Sequence, residues 1–322
     1  MKRRYCRIVI TMLLMCILPC PVQAAQLLIP GGQVIGIQLK NDALTVAAFD
    51  DALGSQAKAA GLRVGDEILA VNSHPVAGAA DIRNALAAAG ETAELTIRRN
   101  GSRKQLRLCP RNTEEGPRLG IYLKQGITGI GTVTWYDPAT NIFGALGHGV
   151  SDTSGQLAAM ASGTAYPAQV TSVKRGTCGE PGQLKGSADP QNLCGTLYRN
   201  TPQGIFGINP RGWAGTPLPV AGYDEVHAGD AVIRSTIAGA RVQEYSVEIL
   251  KIYPRDRSDG RNFLIKVTDP ELLAATGGIV QGMSGSPILQ NNTIIGAVTH
   301  VLVNDPTMGY GIFIENMLDA AG

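Results

Sequence analysis

Aromatic residues are scarce in this sequence, and its charge is nearly balanced. Phe, Trp and Tyr make up 5% of the 322 residues, and the 28 Lys and Arg against 26 Asp and Glu give a net charge of +2. So small a net charge argues against a nucleic-acid-binding protein. The chain also lacks heptad repeats, low-complexity tracts and blocks of like charge, which argues against a coiled coil and against long disorder.

Cysteine is rare as well, and no spacing of cysteine and histidine fits a zinc site. There is no C-x-x-C motif among the six cysteines, and three of them lie in the first 25 residues. We therefore expect no metal and no organic cofactor. Cys178 and Cys194 flank a loop rich in Gly, Pro and Ser, so a disulfide in an oxidising compartment and a pair of free thiols are both open.

Glycine and apolar residues, by contrast, are abundant. The chain has 40 glycines and is 44% hydrophobic. A globular chain of this length can bury the cores of two domains. Many glycines together with few aromatic residues favour short strands joined by tight turns, so we predict a mostly β protein.

The first 25 residues have the pattern of an export signal. A positive start is followed by an apolar run from Ile8 to Leu18 and by the small-residue site Val22–Ala24, after which a signal peptidase could cut. The apolar run is shorter than the roughly 20 residues of a membrane-spanning helix. We therefore expect residues 1–25 to be removed on export, with an uncleaved membrane anchor as the alternative.

A tight turn near the C-terminal end carries the clearest sign of chemistry. An apolar run leads into Gly282-Met-Ser284-Gly-Ser286, and Pro287 starts another apolar run. A serine between glycines leaves backbone N–H groups free to point the same way, as the oxyanion of an acyl-transfer reaction requires. Ser284 is therefore a candidate nucleophile. An ordinary hairpin turn is the alternative.

One histidine supports that candidate. Of the four histidines in the chain, only His148 has glycine on both sides, and it stands at the end of an apolar run. A serine hydroxyl is a weak nucleophile until a base takes its proton, and imidazole, with an ordinary pKa of about 6.5, suits that task. His148 is therefore the candidate base.

These motifs together resemble the stage IV sporulation protein B family of serine peptidases. The resemblance rests on A-L-G-H-G at His148, on G-M-S-G-S-P at Ser284 and on the segment I-I-G-A-V-T-H-V-L-V-N-D-P-T-M-G-Y-G-I-F-I-E that follows. It extends from Leu28 to Met317. It implies a serine endopeptidase in which Ser284 is the nucleophile, His148 the general base and Asp269 the acid that orients the imidazole.

The acid of this triad would stand unusually close to the nucleophile in sequence. An orienting acid holds the imidazole in the tautomer that accepts the serine proton. Asp269 also precedes a short helical pattern, so a helix cap or an Asx-turn is its alternative role. Asp230 and Asp224, which flank strands, are the reserve candidates.

Residues 119–322 have the pattern of a double β-barrel peptidase domain. Short strands with glycine-rich turns fill this part, and a histidine far ahead of a G-x-S-G-x-P serine is typical of chymotrypsin-like peptidases. An α/β-hydrolase would instead have a helix after its nucleophile. By analogy, the N–H groups of Gly282 and Ser284 form the oxyanion hole. His300 is predicted to line the substrate cleft, or else to be a core residue.

Residues 26–110 resemble a PDZ domain of the bacterial protease-associated kind, and residues 111–118 have the composition of a linker. The resemblance rests on the order of strands and helices and on A-G-L-R-V-G-D-E-I-L-A-V-N. Such a domain binds an extended peptide as an added strand and holds its terminal carboxylate with backbone N–H groups. The implied peptide-binding residues are Val34, Ile35, Gly36, Ile37, Ile82 and Leu86. A purely structural role is the alternative for Gly36 and Ile37, in a predicted hairpin of Val34–Leu39 with Leu44–Phe49.

The resemblance further implies a role in endospore formation. The enzyme would be exported across the cytoplasmic membrane into the space between the forespore and mother-cell membranes, touching a membrane only through its leader. There it would cleave itself and a membrane-tethered regulator, so that an intramembrane protease activates a late sporulation sigma factor. The other expected partner is a peptide or C-terminal ligand of the PDZ domain. Two rival functions remain: a non-catalytic scaffold that binds envelope peptides, and a signalling peptidase of a bacterium that makes no spores.

Overall fold

The computed structural model describes residues 26–152, 155–257 and 259–322. The predicted leader, residues 1–25, lies outside these ranges. Strands dominate the described chain, which confirms the prediction of a mostly β protein. The strands are β1 (Leu27–Pro30), β2 (Val34–Phe49), β3 (Glu67–Val71), β4 (His74–Pro75), β5 (Ala93–Arg99), β6 (Ser102–Leu108), β7 (Arg111–Thr113), β8 (Gly116–Arg118), β9 (Ile121–Tyr136), β10 (Ile142–Ala145), β11 (Ser162–Lys174), β12 (Gln183–Ala188), β13 (Gly195–Thr201), β14 (Gly204–Ile208), β15 (Leu218–Pro219), β16 (Gly229–Ser235), β17 (Gln243–Ile252), β18 (Phe263–Val267), β19 (Pro287–Gln290), β20 (Thr293–Leu302) and β21 (Asp305–Phe313). The helices are α1 (Ser55–Ala59), α2 (Ala79–Ala87), α3 (Pro270–Thr276) and α4 (Ile314–Ala321).

Six strands close the first of two barrels. β2 pairs with β9, and the order continues through β10, β14, β13 and β11 back to β2. Closure gives the barrel part of each strand a neighbour on both sides, except along residues 127–131 of β9, which pair only with β2. The inward side chains fill the interior. Ile35, Leu39 and Phe143 are among the residues buried there.

Six further strands close the second barrel, in the order β16, β17, β18, β21, β20 and β19. Alternation along β17 shows why these sequences form strands, because Tyr245, Val247 and Ile249 point inward and are 1% exposed. Helix α4 ends the chain and buries Ile314 and Met317. The prediction of a double β-barrel is confirmed.

A separate unit, called here the inserted unit (residues 44–125), interrupts the first barrel between β2 and β9. Val34–Leu39 of β2 pair with residues 127–132 of β9 inside the barrel, whereas Leu44–Phe49 pair with residues 121–125 outside it. These outer halves join β3, β5, β6, α1 and α2 around a core of their own.

The insertion differs from the predicted division at residues 26–110, 111–118 and 119–322. The sequence predicted a hairpin of Val34–Leu39 with Leu44–Phe49, but both segments belong to one strand because both pair with β9. Residues 111–118 contain the β7–β8 hairpin and are not a bare linker. Among the described residues, no helix has both the length and the apolar character needed to cross a membrane.

Candidate active site

Ser284 lies on a turn, residues 281–286, that enters β19 of the second barrel. The turn depends on Gly285, whose φ angle is +94° and where an added Cβ would lie 2.1 Å from the carbonyl oxygen of Thr132. Only glycine adopts this conformation without strain and leaves room for the neighbouring strand. The G-x-S-G pattern is therefore a packing requirement as well as a chemical one.

The first barrel holds this turn through two threonines of β9. Thr132 donates from its hydroxyl to the Gly282 carbonyl at 2.8 Å and from its N–H to the Ser284 carbonyl at 3.1 Å. The hydroxyl of Thr134 donates to the Gly285 carbonyl at 2.8 Å. Sequence reasoning missed both threonines, because threonine is common in β-strands and their partners lie in the other barrel.

Two N–H groups of the turn are free. The N–H groups of Gly282 and Ser284 have no acceptor within the described part of the chain, whereas those of Met283 and Gly285 bind the carbonyls of Val280 and Val298. Both residues line the main cleft, a cavity of about 800 Å³ that includes residues of both barrels. Two unpaired donors on either side of Met283 are the arrangement that an oxyanion hole needs.

His148 follows β10 and lines the same cleft. Leu146 and Gly147 have φ angles of +71° and +67°, so the chain bends sharply just before the imidazole. The Nδ1 atom lies 2.9 Å from the Gly149 carbonyl. A carbonyl only accepts, so Nδ1 carries the proton and Nε2 keeps its lone pair. Burial lowers the pKa of His148, which favours this neutral form.

Ser284 and His148 share the cleft but are not hydrogen-bonded to each other in this conformation. The hydroxyl of Ser284 donates instead to the Thr299 carbonyl at 2.9 Å. That hydroxyl must turn from Thr299 before it can donate to an imidazole.

His300 forms part of the wall of the main cleft, beside His148. The centres of the two rings are 5.4 Å apart. The Nδ1 atom of His300 is buried and has no hydrogen-bond partner among the described residues. Burial, with smaller contributions from His148 and Arg261, lowers the pKa of His300 to about 4, so it is uncharged at neutral pH.

Asp269 makes no hydrogen bond to His148 and does not line the main cleft, so the structure does not join it to the predicted triad. Its Oδ1 accepts from the N–H of Leu272 at 2.9 Å, and its Oδ2 accepts from the N–H of Ser246 at 3.3 Å. Asp269 is the N-cap of α3, the alternative that its position before a helical pattern offered. Asp224 and Asp230 are exposed and do not line the main cleft.

An acid that sequence reasoning missed, Asp259, does line the main cleft. Its carboxylate accepts two hydrogen bonds from Arg257, at 3.0 and 2.6 Å, and one from the N–H of Arg261 at 3.2 Å. The bond to Arg257 is the main reason that its pKa falls to about 2. Asp259 is thus bound to its own loop and does not orient His148.

Ser286 and the cysteines offer no competing nucleophile in the cleft. The Ser286 hydroxyl is buried and donates to the hydroxyl of Ser235 at 3.0 Å. Cys109, Cys178 and Cys194 are free thiols, so the disulfide considered for Cys178 and Cys194 is not formed. Burial raises the pKa of Cys194 to about 11.

The predicted peptide groove at Val34–Ile37 is wrong. This segment pairs with β9 on one edge and with β11 on the other, so no third strand can be added there. An added Cβ at Gly36 would lie 2.4 Å from Ala188, which shows how closely this part of the strand is packed. Gly36 and Ile37 therefore have the structural role that was the alternative.

Ile82 and Leu86 of α2 do line a groove, but against a different strand. The helix groove, as it is called here, is a cavity of about 260 Å³ between α2 and residues 119–123. Gly120 at its end has a φ angle of +65°, and the N–H groups of Leu119 and Gly120 have no acceptor within the described chain.

Two family models match the chain. The family model described as SpoIVB peptidase S55 matches residues 115–318, and a PDZ domain model matches residues 52–99, within the inserted unit. No curated protein matches the chain.

Solved structures of Rv3671c protease from M. tuberculosis are also similar. The inactive form is 15% identical, with a TM-score of 0.35, over 60% of this chain and 82% of that chain. The active form is 16% identical, with a TM-score of 0.35, over 61% of this chain and 75% of that chain. The family match spans more than half of the present chain, which therefore belongs to the SpoIVB peptidase S55 family and is a serine peptidase with a PDZ domain.

Proposed function

We propose that Ser284 is the nucleophile of this peptidase and His148 its general base. Nε2 of His148 takes the hydroxyl proton as the Ser284 oxygen attacks the scissile carbonyl, and the imidazolium then gives that proton to the leaving amine. Water repeats the sequence on the acyl-enzyme and restores the serine. The N–H groups of Gly282 and Ser284 stabilise the oxyanion in both steps.

The Gly149 carbonyl takes the orienting role that sequence reasoning gave to Asp269. It fixes the tautomer by accepting from Nδ1, as the carboxylate of a triad does. A neutral carbonyl stabilises an imidazolium less than a carboxylate does, so we expect slower turnover than in a full triad. The observation that carries the proposal is the pair of free N–H groups of Gly282 and Ser284, two residues that line the same cleft as the neutral imidazole of His148.

Membership of the family supports a role in sporulation. In this proposal the protein is exported across the cytoplasmic membrane, by residues 1–25 as a cleaved leader or an anchor, into the space between forespore and mother cell. It cleaves a membrane-tethered regulator and itself, and an intramembrane protease then activates a late sporulation sigma factor. The inserted unit binds a peptide or a C-terminus in the helix groove, where Ile82 and Leu86 offer apolar contact.

An active-site-directed fluorophosphonate tests the nucleophile. We expect it to label the full chain, and Ser284→Ala to abolish both labelling and self-cleavage. Ser286→Ala is the matched control, because that hydroxyl is buried two residues away. Burial lowers the pKa of His148, so labelling should lose rate only below about pH 6.5. Unchanged cleavage in Ser284→Ala would instead favour a scaffold whose apparent activity comes from a contaminant.

Deletion of the gene tests the proposed role in sporulation. In a spore-forming host, loss of the gene should leave the regulator uncleaved and block late sporulation, and Ser284→Ala should not restore either. Proteomic comparison of cells with and without the gene would identify a different envelope substrate if the host makes no spores.

A further inference from the structure

One strand connects the two grooves of this protein. Residues 121–123 of β9 line the helix groove, and Ile127, Gly129 and Ile130 of the same strand line the main cleft. Thr132, two residues further on, binds the Ser284 turn. The strand therefore runs from the peptide groove to the nucleophile without a break in the chain.

One edge of this strand is occupied along its length, and the other is open. β2 pairs with residues 121–132 of β9, and β1 pairs with Trp135 and Tyr136 on the same side. On the opposite side β10 pairs with β9 only from Val133 onward. Within the described chain, no strand pairs with that opposite edge between residues 121 and 131.

The backbone of the open edge faces the cleft. The N–H and C=O groups of Thr132 point to this side, where they bind Ser284 and Leu146. In an antiparallel pair these groups alternate between the two edges, so those of Ile130 and Thr128 point to the same side as those of Thr132. They are available to an added peptide strand.

A second cavity continues the main cleft along this edge. The side groove, a cavity of about 460 Å³, shares Gly129, Ile130 and Gly282 with the main cleft and adds Gln183 and Lys185 of β12. Lys185 is exposed and has no ion-pair partner within the described chain. A substrate leaving the oxyanion hole at Gly282 can therefore follow β9.

The far end of the edge suits a terminal carboxylate. The free N–H groups of Leu119 and Gly120 lie just before β9 begins, and the exposed Arg83 lines the same groove without an ion-pair partner among the described residues. A peptide whose C-terminus lies there must run antiparallel to β9. Its preceding residues then extend toward Gly129 and Ile130.

We propose that β9 is a template for one substrate chain held at both ends. The substrate is an extended peptide whose free C-terminal carboxylate binds in the helix groove while its scissile bond lies at Ser284. This inference rests on the proposed roles of Ser284 and of the helix groove. Ile121 and Ile130 are about 30 Å apart at about 3.3 Å per residue, so cleavage falls about 8–11 residues before the C-terminus.

A peptide series tests the template with the full chain. Each peptide carries the same self-cleavage sequence, followed by a flexible spacer of about 4, 10 or 20 residues that ends in a carboxylate or in an amide. We expect kcat/KM for the acid to exceed that for the amide by about tenfold at the middle length, because the tether raises the effective concentration of the scissile bond. The difference should shrink at the other two lengths.

A competitor peptide takes the place of a groove variant, because substitutions in the groove can also unfold the protein. A short apolar peptide with a free carboxylate and no scissile bond should remove the advantage of the acid, and its amide should not. Equal kcat/KM for acid and amide at all three lengths would overturn the template. So would an advantage of the acid that does not depend on length, which would mean a separate PDZ contact.

Two further measurements distinguish failure of the template from failure of the proposed function. Fluorophosphonate labelling reports on Ser284, and anisotropy of a fluorescent C-terminal peptide on the Ser284→Ala protein reports on the helix groove. If both succeed while the peptide series shows no optimum, only the template is wrong. Loss of either signal would overturn the proposed function and the template together.

Discussion

His148 has its orienting acceptor next to it in the chain. The Gly149 carbonyl fixes the proton on Nδ1, so the position of the base depends on a local turn and not on an acid from another strand. Asp269, by contrast, uses both carboxylate oxygens on backbone N–H groups. The two residues are therefore expected to respond differently to substitution.

Replacement of Asp269 by Ala should weaken the fold and spare catalysis. Loss of an N-cap costs about 0.5–2 kcal/mol of unfolding free energy. We expect a fall of that size in urea unfolding, with kcat within about threefold of the wild type once the protein is folded.

Asp269→Asn is the decisive companion, because Asn caps a helix about as well as Asp. It should keep the bond from Leu272 and lose only the longer one from Ser246, so it should recover most of the stability lost in Asp269→Ala and leave kcat nearly unchanged. In a triad with an acid, the same change lowers kcat by about 10⁴-fold. A loss of that order in a stable Asp269→Asn protein would return Asp269 to the catalytic machinery.

His300 should make stability depend on pH. Its folded pKa is about 4, below the ordinary value, because of burial and the nearby His148 and Arg261, with Asp259 opposing them. The unfolded chain therefore binds this proton more tightly, and the contribution to stability is lost as pH falls from about 6.5 to about 4. The wild type should lose more unfolding free energy over this range than His300→Gln.

Urea midpoints at several pH values between 7.5 and 4 would measure this effect. The difference between the two proteins removes the titration of groups that they share, including His148. Parallel curves for the wild type and His300→Gln would show that His300 is accessible to protons in the folded state.

At the scale of single elements, strand β9 passes from the inserted unit (residues 121–125) into the first barrel (residues 127–132) across one residue. Gly126 lies at this point and has a φ angle of +88°. Opposite it, residues 40–43 of β2 form a bulge between Leu39 and Leu44. An added Cβ would lie 1.8 Å from the Leu39 carbonyl oxygen. The crossing thus depends on one glycine.

Gly126→Ala should destabilise the protein more than a comparable change elsewhere. Gly101 is the matched control, since its φ angle is +76° but an added Cβ meets nothing within 4 Å. Gly101→Ala should cost the left-handed strain alone, about 1–2 kcal/mol. Gly126→Ala adds a backbone clash worth about 1–3 kcal/mol. Equal losses in urea unfolding would contradict the tight crossing.

For the molecule as a whole, the pairing pattern makes the inserted unit a removable part. Leu39 pairs directly with Ile127, so the first barrel closes without residues 40–126. The nucleophile turn and His148 are both held by barrel residues. The peptidase site should therefore not need the inserted unit for its geometry.

Replacement of residues 40–126 by Asn-Gly tests this independence. That dipeptide makes a two-residue type I′ turn, which matches the twist of the hairpin it would join. We expect cooperative unfolding and fluorophosphonate labelling at Ser284 to survive, while any preference for a C-terminal carboxylate disappears. A shortened chain that unfolds without cooperativity would show that the barrel needs the insertion.

Local features of the chain followed from the sequence. Glycine spacing identified the Ser284 turn, because the turn needs left-handed glycines wherever its partners lie. Asn100-Gly101 is a dipeptide that favours a type I′ turn whatever surrounds it, and both residues have positive φ angles, 49° and 76°. The fold class and the candidate nucleophile and base were accessible for the same reason: each rests on neighbours within a few residues.

Strand partners, in contrast, depended on the tertiary structure. The pattern around residues 40–42 fits a hairpin turn and a bulge equally well, and only pairing with the distant β9 distinguishes them. That pairing, with the pairing to β11, closes both edges of Val34–Ile37, whereas residues 119–123 line an open groove beside α2, where we propose that the peptide binds. Side-chain chemistry and turn geometry are encoded locally, whereas the neighbour along a strand edge is set by residues far away in the chain.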